Sequence, residues 1–140
     1  MNQQMQISRK DISGEGFYVI DSFAWVEYFG GTEKGEKAKQ YVESGNAVTP
    51  TIVIAELSNK YARENLEFGE KLQFIRFNTR IALLTEDIAN KAGKINAERR
   101  KFVKGWPLAD SIVLTTAKEL SAKIITGDEH FEDLPEAIII

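Results

Sequence analysis

The 140-residue chain has no cysteine and only one histidine, His130. Disulfides, thiolate metal sites and cysteine nucleophiles are therefore excluded, and the histidine-rich ligand sets of zinc hydrolases cannot be assembled. No apolar run approaches the roughly 20 residues that a membrane span requires. Residues 1–16 are polar and lack an apolar signal-peptide core, so they read as a flexible lead-in to a cytoplasmic protein. The net charge of −3 argues mildly against a polyanionic partner, an objection that weakens if several acids are there to hold divalent cations.

What remains is the composition of an ordinary globular domain, 43% hydrophobic and 28% charged, long enough to bury about two-thirds of its unfolded surface. A single domain is expected over 17–140. Residues 17–20 form an apolar run without alternation, as in a central parallel strand covered on both faces. Ser22 is placed to cap a helix over 23–29 that Gly30-Gly31 stops. Thr32 caps a charged helix to about 43, and a short strand over 47–49 leads to Pro50, which opens a helix over 51–64. A helix over 67–80, with Phe68, Leu72 and Ile75 inward, precedes a strand over 81–84, and Thr85 caps a helix from 86 to about 101. Pro107 suits the first turn of the next helix, whose residues Leu108, Ala109, Ile112, Val113, Thr116, Ala117 and Leu120 share one face. Short apolar strands follow over 123–125 and 137–140. Strands alternating with helices predict an α/β fold, a parallel sheet with helices on both faces.

Four acids stand at informative places in this pattern. Asp21 and Asp128 end apolar strands, so both project from the carboxyl edge of the sheet, where open α/β sheets bind ligands. Asp110 lies in the first turn of a buried helix, at its positive dipole end, on a stripe with Val113 and Ala117. Glu56 borders the buried face formed by Val53, Ile54, Leu57 and Tyr61, in a stripe with Ile52, Asn59 and Arg63. An isolated acid in a chain with 21 of them is most often a solvated cap. Four at these positions are a different matter, since their convergence is costly unless cations or protons neutralise them. Oxygen ligands without sulfur or imidazole select Mg²⁺ or Mn²⁺. Such ions polarise a phosphate oxygen and activate water, which is the chemistry of phosphodiester hydrolysis.

The segments Val19-Ile20-Asp21-Ser22, Thr49-Pro50-Thr51 with Ala55-Glu56-Leu57, Pro107-Leu108-Ala109-Asp110-Ser111-Ile112 and Ile125-Thr126-Gly127-Asp128-Glu129-His130-Phe131 resemble those of the PIN-domain nucleases. Within these they look most like the short toxin ribonucleases of VapBC toxin–antitoxin pairs. The resemblance spans about 17–140 and implies a three-layer α/β/α sandwich, bound Mg²⁺ or Mn²⁺ and endonucleolytic cleavage of RNA. It also implies a homodimer, and neutralisation by a small antitoxin whose tail enters the site. Carried over by position, Asp21, Glu56, Asp110 and Asp128 form the metal-binding set, with Ser22 and Thr126 as supporting hydroxyls. Many relatives have a second aspartate directly before the phenylalanine, where this chain has His130. No ligand role is therefore assigned to His130, Glu129 is read as a solvated neighbour, and Phe131 as a core anchor for the loop.

Residues 91–104 contain Lys91, Lys94, Arg99, Arg100, Lys101 and Lys104 against one acid, Glu98. This segment either grips backbone phosphates or is a solvated helix end whose cations complement the dipole. Arg63 is a separate candidate for RNA contact through the Glu56 stripe. Trp25, Tyr28, Phe29 and Trp106 read as packing residues. Three functions compete: a divalent-metal ribonuclease, as a toxin or in RNA processing; a catalytically silent RNA- or protein-binding module; and a phosphatase- or receiver-like domain with Asp21 as nucleophile. The last is disfavoured because no Asp-x-Asp follows the first strand and no late strand end offers a phosphate-binding lysine.

Overall fold

The computed structural model describes Gln4–Met5 and residues 16–140. Its elements in chain order are β1 (Gln4–Met5), β2 (Tyr18–Ile20), α1 (Ser22–Gly30), α2 (Glu33–Val42), β3 (Ala47–Pro50), α3 (Thr51–Arg63), α4 (Gly69–Asn78), β4 (Arg80–Ala82), α5 (Glu86–Arg99), α6 (Leu108–Leu120), β5 (Lys123–Thr126) and β6 (Ala137–Ile139). The strands pair in the order β1-β4-β3-β2-β5-β6, and every pairing is parallel. The expected flexible lead-in falls mostly outside the described residues; within it, Gln4 and Met5 pair with Ile81 and Ala82.

The core strands carry apolar residues at successive positions. Val19 and Ile20, and likewise Ile124 and Ile125, are fully buried. Neighbours along a strand point to opposite faces, so both faces of the sheet are covered and the architecture is the expected α/β/α sandwich. From β2 the chain moves through β3 to β4 on one side, then returns to place β5 and β6 on the other. The switch point between β2 and β5 leaves a crevice at their carboxyl ends.

Where expectation and structure differ, tertiary packing decides. The helix expected over 67–80 is shorter, Gly69–Asn78, with Phe68 as a half-buried cap residue. Strand β4 begins one residue earlier than expected because Arg80 pairs with Val48. Asp21, not Ser22, occupies the N-cap of α1, and it makes no side-chain cap bond; its carboxylate is turned to a neighbouring strand end instead. Helix α6 has no polar face over its central turns, since Ser111 through Ala117 are all buried, whereas Leu108 at its start is exposed. The Thr115 and Thr116 hydroxyls are satisfied within the helix by the carbonyls four residues back. Ser111 Oγ accepts from Trp106 Nε1 and donates to Asn96 Oδ1.

Helices α1 and α2 pack closely at Gly35, where a Cβ would strike the Glu27 carbonyl. Gly35→Ala should therefore cost about 1–3 kcal/mol through forced backbone shifts. Gly93, in α5 with open space around its Cα, should behave oppositely, Gly93→Ala adding about 0.4–1 kcal/mol. Urea denaturation of both variants checks the contrast, and equal midpoints would contradict the packing described.

Candidate active site

Pairing of β2 with β5 places the first groups side by side. Ile20 lies opposite Ile125, so the residues leaving the two strands emerge together. The Asp21 amide donates to the Ile125 carbonyl at 3.0 Å. The Thr126 hydroxyl donates to Asp21 Oδ2 at 2.8 Å and accepts from the Asp128 amide at 3.1 Å. The turn between them passes directly beneath the Phe23 ring, which a Cβ at Gly127 would strike. Asp128 then caps the one-turn 3-10 helix Glu129–Phe131, its Oδ1 accepting from the His130 amide.

Glu56 reaches the same edge from α3 and Asp110 from the first turn of α6. With Asp21, Ser22 and Asp128 they line a cleft of about 470 Å³. All four sequence-predicted acids thus face one crevice, as do Ser22 and Arg63, while Thr126 is buried beneath it. Asn59 and Lys60 also line the cleft. The sequence reading left Lys60 out and named Asn59 only as a member of the stripe, although Lys60 stands four positions after Glu56, the spacing that shares a helical face.

The acids raise one another's affinity for protons. Burial pushes Asp21 up to about 6; the Asp128 charge adds to this, while the Thr126 hydroxyl and the first-turn amides oppose it. Burial, then the Asp21 charge, pushes Glu56 up to about 7 against the Ser22 hydroxyl. Asp110 is pushed furthest, to about 8, by burial and then by Asp21, Glu56 and Asp128, with Arg99 opposing. Asp21 Oδ1 and Glu56 Oε1 are buried without a hydrogen-bond partner. Orphaned carboxylate oxygens in a shared cleft fit a hard divalent cation, which takes oxygen ligands alone. Among the described residues no three acidic or imidazole side chains are drawn tightly enough to close a coordination sphere, in keeping with the repulsion of like charges.

A family model for the PIN domain matches residues 18–137. The chain belongs to the PIN-domain family. Solved structures similar to this PIN domain include a toxin–antitoxin complex from Klebsiella pneumoniae, at 18% identity and TM-score 0.69, covering 86% of this chain and 95% of that one. VapC20 of Mycobacterium tuberculosis, described as a toxin that cleaves the sarcin–ricin loop, matches at 16% identity and TM-score 0.69, covering 84% and 95%. VapBC2 from Rickettsia felis, bound to a DNA fragment from its promoter, matches at 15% identity and TM-score 0.68, covering 89% and 97%. At these identities the likeness is one of fold. No curated protein sequence matches the chain.

Within the basic segment, left open between a phosphate grip and a solvated helix end, Arg99 has its own internal partners. Arg99 forms a two-pronged pair with Asp133, at 2.9 and 2.8 Å, and donates to the His130 carbonyl at 2.7 Å. Its guanidinium also stacks 4.1 Å from the Trp106 ring, and its side chain is only 10% exposed. Lys91 is held by Asp87 and Glu119, and Lys101 by Glu98. Arg99 thus ties the Asp128 loop to the start of α6, an anchoring contact invisible in a local charge count. Phe131 and Trp106, 4.8 Å apart, complete this support, in the packing roles expected of them. Trp25 is likewise buried, against Tyr28, Phe29 and Phe74. The His130 ring is exposed and meets Asp128 Oδ1 through Nδ1 at 3.0 Å.

Two measurements follow. The folded chain holds protons on Asp21, Glu56 and Asp110 that the unfolded chain releases near pH 4, so their contribution to stability is full below that pH and lost as pH rises through about 6 to 8. Without divalent cations, Asp110→Asn should therefore match the unaltered chain in urea near pH 4 and exceed it at pH 8; equal midpoints at pH 8 would remove the electrostatic account. Arg99→Ala should cost about 2 kcal/mol through the lost charged hydrogen bonds and ring contact, whereas Arg100→Ala, at an exposed position, should stay within about 0.5 kcal/mol.

Proposed function

We propose that the chain is a divalent-metal-dependent endoribonuclease and the toxin of a toxin–antitoxin pair. The observation that carries this reading is the convergence of Asp21, Glu56, Asp110 and Asp128 on one cleft, two of them with orphaned buried oxygens. PIN-family membership supports nuclease chemistry in general. The choice of toxin rests on neighbours in fold that are themselves toxins of such pairs.

Asp21, Glu56, Asp110 and Asp128 would hold Mg²⁺ or Mn²⁺. The bound cation supplies Lewis-acid polarisation of a phosphate oxygen and a lowered pKa for water. The protein's own share is positional. Thr126 holds one oxygen of Asp21, and the other has no hydrogen-bond partner. The Ser22 hydroxyl acts against the upward push on Glu56, and the first turn of α6 favours an anion at Asp110.

RNA is the proposed substrate and a small antitoxin the proposed protein partner, its tail entering the carboxylate cleft. A homodimer acting in the cytoplasm completes the reading. Among the described residues no helix is long and apolar enough to cross a membrane.

Asp21→Asn and Asp110→Asn should each lower Mg²⁺- or Mn²⁺-dependent cleavage of RNA by about a hundredfold or more, with circular dichroism unchanged. Undiminished cleavage by both purified variants would sink the assignment. A binding-only module would instead retain RNA affinity and show no metal-stimulated cleavage even in the unaltered chain.

A further inference from the structure

We infer that the cleft is polarised across its width, so that a single strand of RNA lies with its phosphodiester backbone along α3 and its sugar and base toward α1. The inference rests on the ribonuclease reading and adds to it the orientation of the substrate across the cleft.

Helix α3 presents Glu56, Asn59, Lys60 and Arg63 to the cleft. Positions three, four and seven apart share one helical stripe. At 1.5 Å per residue, Lys60 stands about 6 Å and Arg63 about 10.5 Å beyond Glu56 along the helix axis. Two cations therefore lead away from the acidic cluster in steps of roughly a helical turn. Lys60 is paired with Glu64 at 2.6 Å, with side chains 36% and 45% exposed. Such exposed pairs contribute little, so the ammonium can turn to a phosphate at small cost. Arg63 is exposed and has no ion-pair partner among the described residues, and its planar fork suits a phosphate.

The facing wall has the opposite character. It is lined by Phe23, Val26 and Glu27 of α1. Phe23 remains 37% exposed, although its ring rests on Gly127. The Glu27 carboxylate accepts from the Thr32 hydroxyl at 3.0 Å, which holds a negative charge on this side. Lys34 lies over the Phe23 ring, 5.2 Å from its centroid, and is not among the residues that line the cleft. A phosphate here meets a carboxylate and an apolar surface; a sugar or base meets a ring and a valine. Attraction for a polyanion therefore runs along α3, and the apolar area lies opposite it. A cleft of about 470 Å³ is the size that takes one small-molecule-sized unit, about what a single nucleotide of a strand would fill. Charged track on one side and aromatic contact on the other is the combination by which proteins hold single strands.

The test uses the full chain with Asp110→Asn, so that RNA stays intact, and fluorescence anisotropy of a labelled oligouridine from 50 to 200 mM KCl. Lys60→Ala and Arg63→Ala should each reduce the slope of log affinity against log salt by about 0.7, and the double change by about twice that. Phe23→Ala should weaken binding by about fivefold or more with the slope unchanged, and the oligouridine annealed to its complement should bind far more weakly. Unchanged slopes in both α3 variants, a slope change from Phe23→Ala, equal binding of duplex, or no binding at all would each overturn the inference. Cleavage by the chain with its native Asp110 is read separately. Metal-dependent cleavage with unchanged slopes leaves the nuclease reading standing and removes the polarised cleft. Slopes that respond in a chain that never cleaves do the reverse.

Discussion

The fold must bury a carboxylate that it only half satisfies. Asp21 ends a central strand, is almost wholly inaccessible, and receives one hydroxyl bond while its second oxygen has none. A buried charge so poorly compensated costs free energy, and Glu56, Asp110 and Asp128 compound the cost by crowding the same crevice. The surrounding structure has to be firm enough to keep these groups from turning to water. Adjacent strands β2 and β5, buried on both faces, provide that firmness. The strain sits where the chemistry is expected, a common relation between local cost and function. The resulting affinity for positive charge, proton or cation, is a direct consequence of it.

Holding the acids in place takes more than the sheet. The Asp128 turn would be an ordinary surface loop without Phe131 beneath it, and Phe131 packs on Trp106, whose indole N–H reaches Ser111 beside Asp110. Arg99 stacks on that same indole and bonds to the His130 carbonyl and Asp133. One aromatic and one guanidinium thereby fix both the loop carrying Asp128 and the helix start carrying Asp110. Gly127 acts from the other side by letting the turn pass under Phe23. Site geometry is thus set by residues that themselves touch no ligand, which is the usual condition for holding charged groups against their mutual repulsion.

How much of this was legible from residue order follows from the range of each interaction. The ends of β2 and β5 were readable because unalternating β-branched runs have few alternatives to a buried strand, and the acid after each run marks the sheet edge. Asp110 and Glu56 were readable from helical spacing against a buried face. Arg99 was not, because its partners Asp133 and the His130 carbonyl lie 34 and 31 residues away; in a local count it is one more positive charge. The unbroken burial of α6 from Ser111 through Ala117 was hidden for a similar reason. Ser111 and Thr115 fall outside the face read as buried, and their hydroxyls are satisfied by Asn96 and by the helix's own Ser111 carbonyl. Lys60 was available from spacing alone and was missed, since an exposed lysine paired with a glutamate four residues on reads as helix decoration.

Under the proposed ribonuclease function, the cleft would also account for how an acidic protein receives a polyanion. Net charge is a poor guide here, because fields within a narrow crevice are set by the groups that line it. Four carboxylates on the floor oppose a phosphate backbone, and two cations on α3 do not outweigh them. Whatever neutralises the floor, protons at lower pH or a divalent cation, lowers the cost of bringing a phosphate near. By linkage the effect is reciprocal: a strand lying along Lys60 and Arg63 with a phosphate over the acids must raise their affinity for positive charge by the same factor. On the proposed reading, substrate and cation would be mutually dependent ligands of a single electrostatic site. A basic peptide entering the crevice would relieve the same repulsion while contributing no scissile bond, so the proposed catalysis and its proposed inhibition would act through the same four side chains.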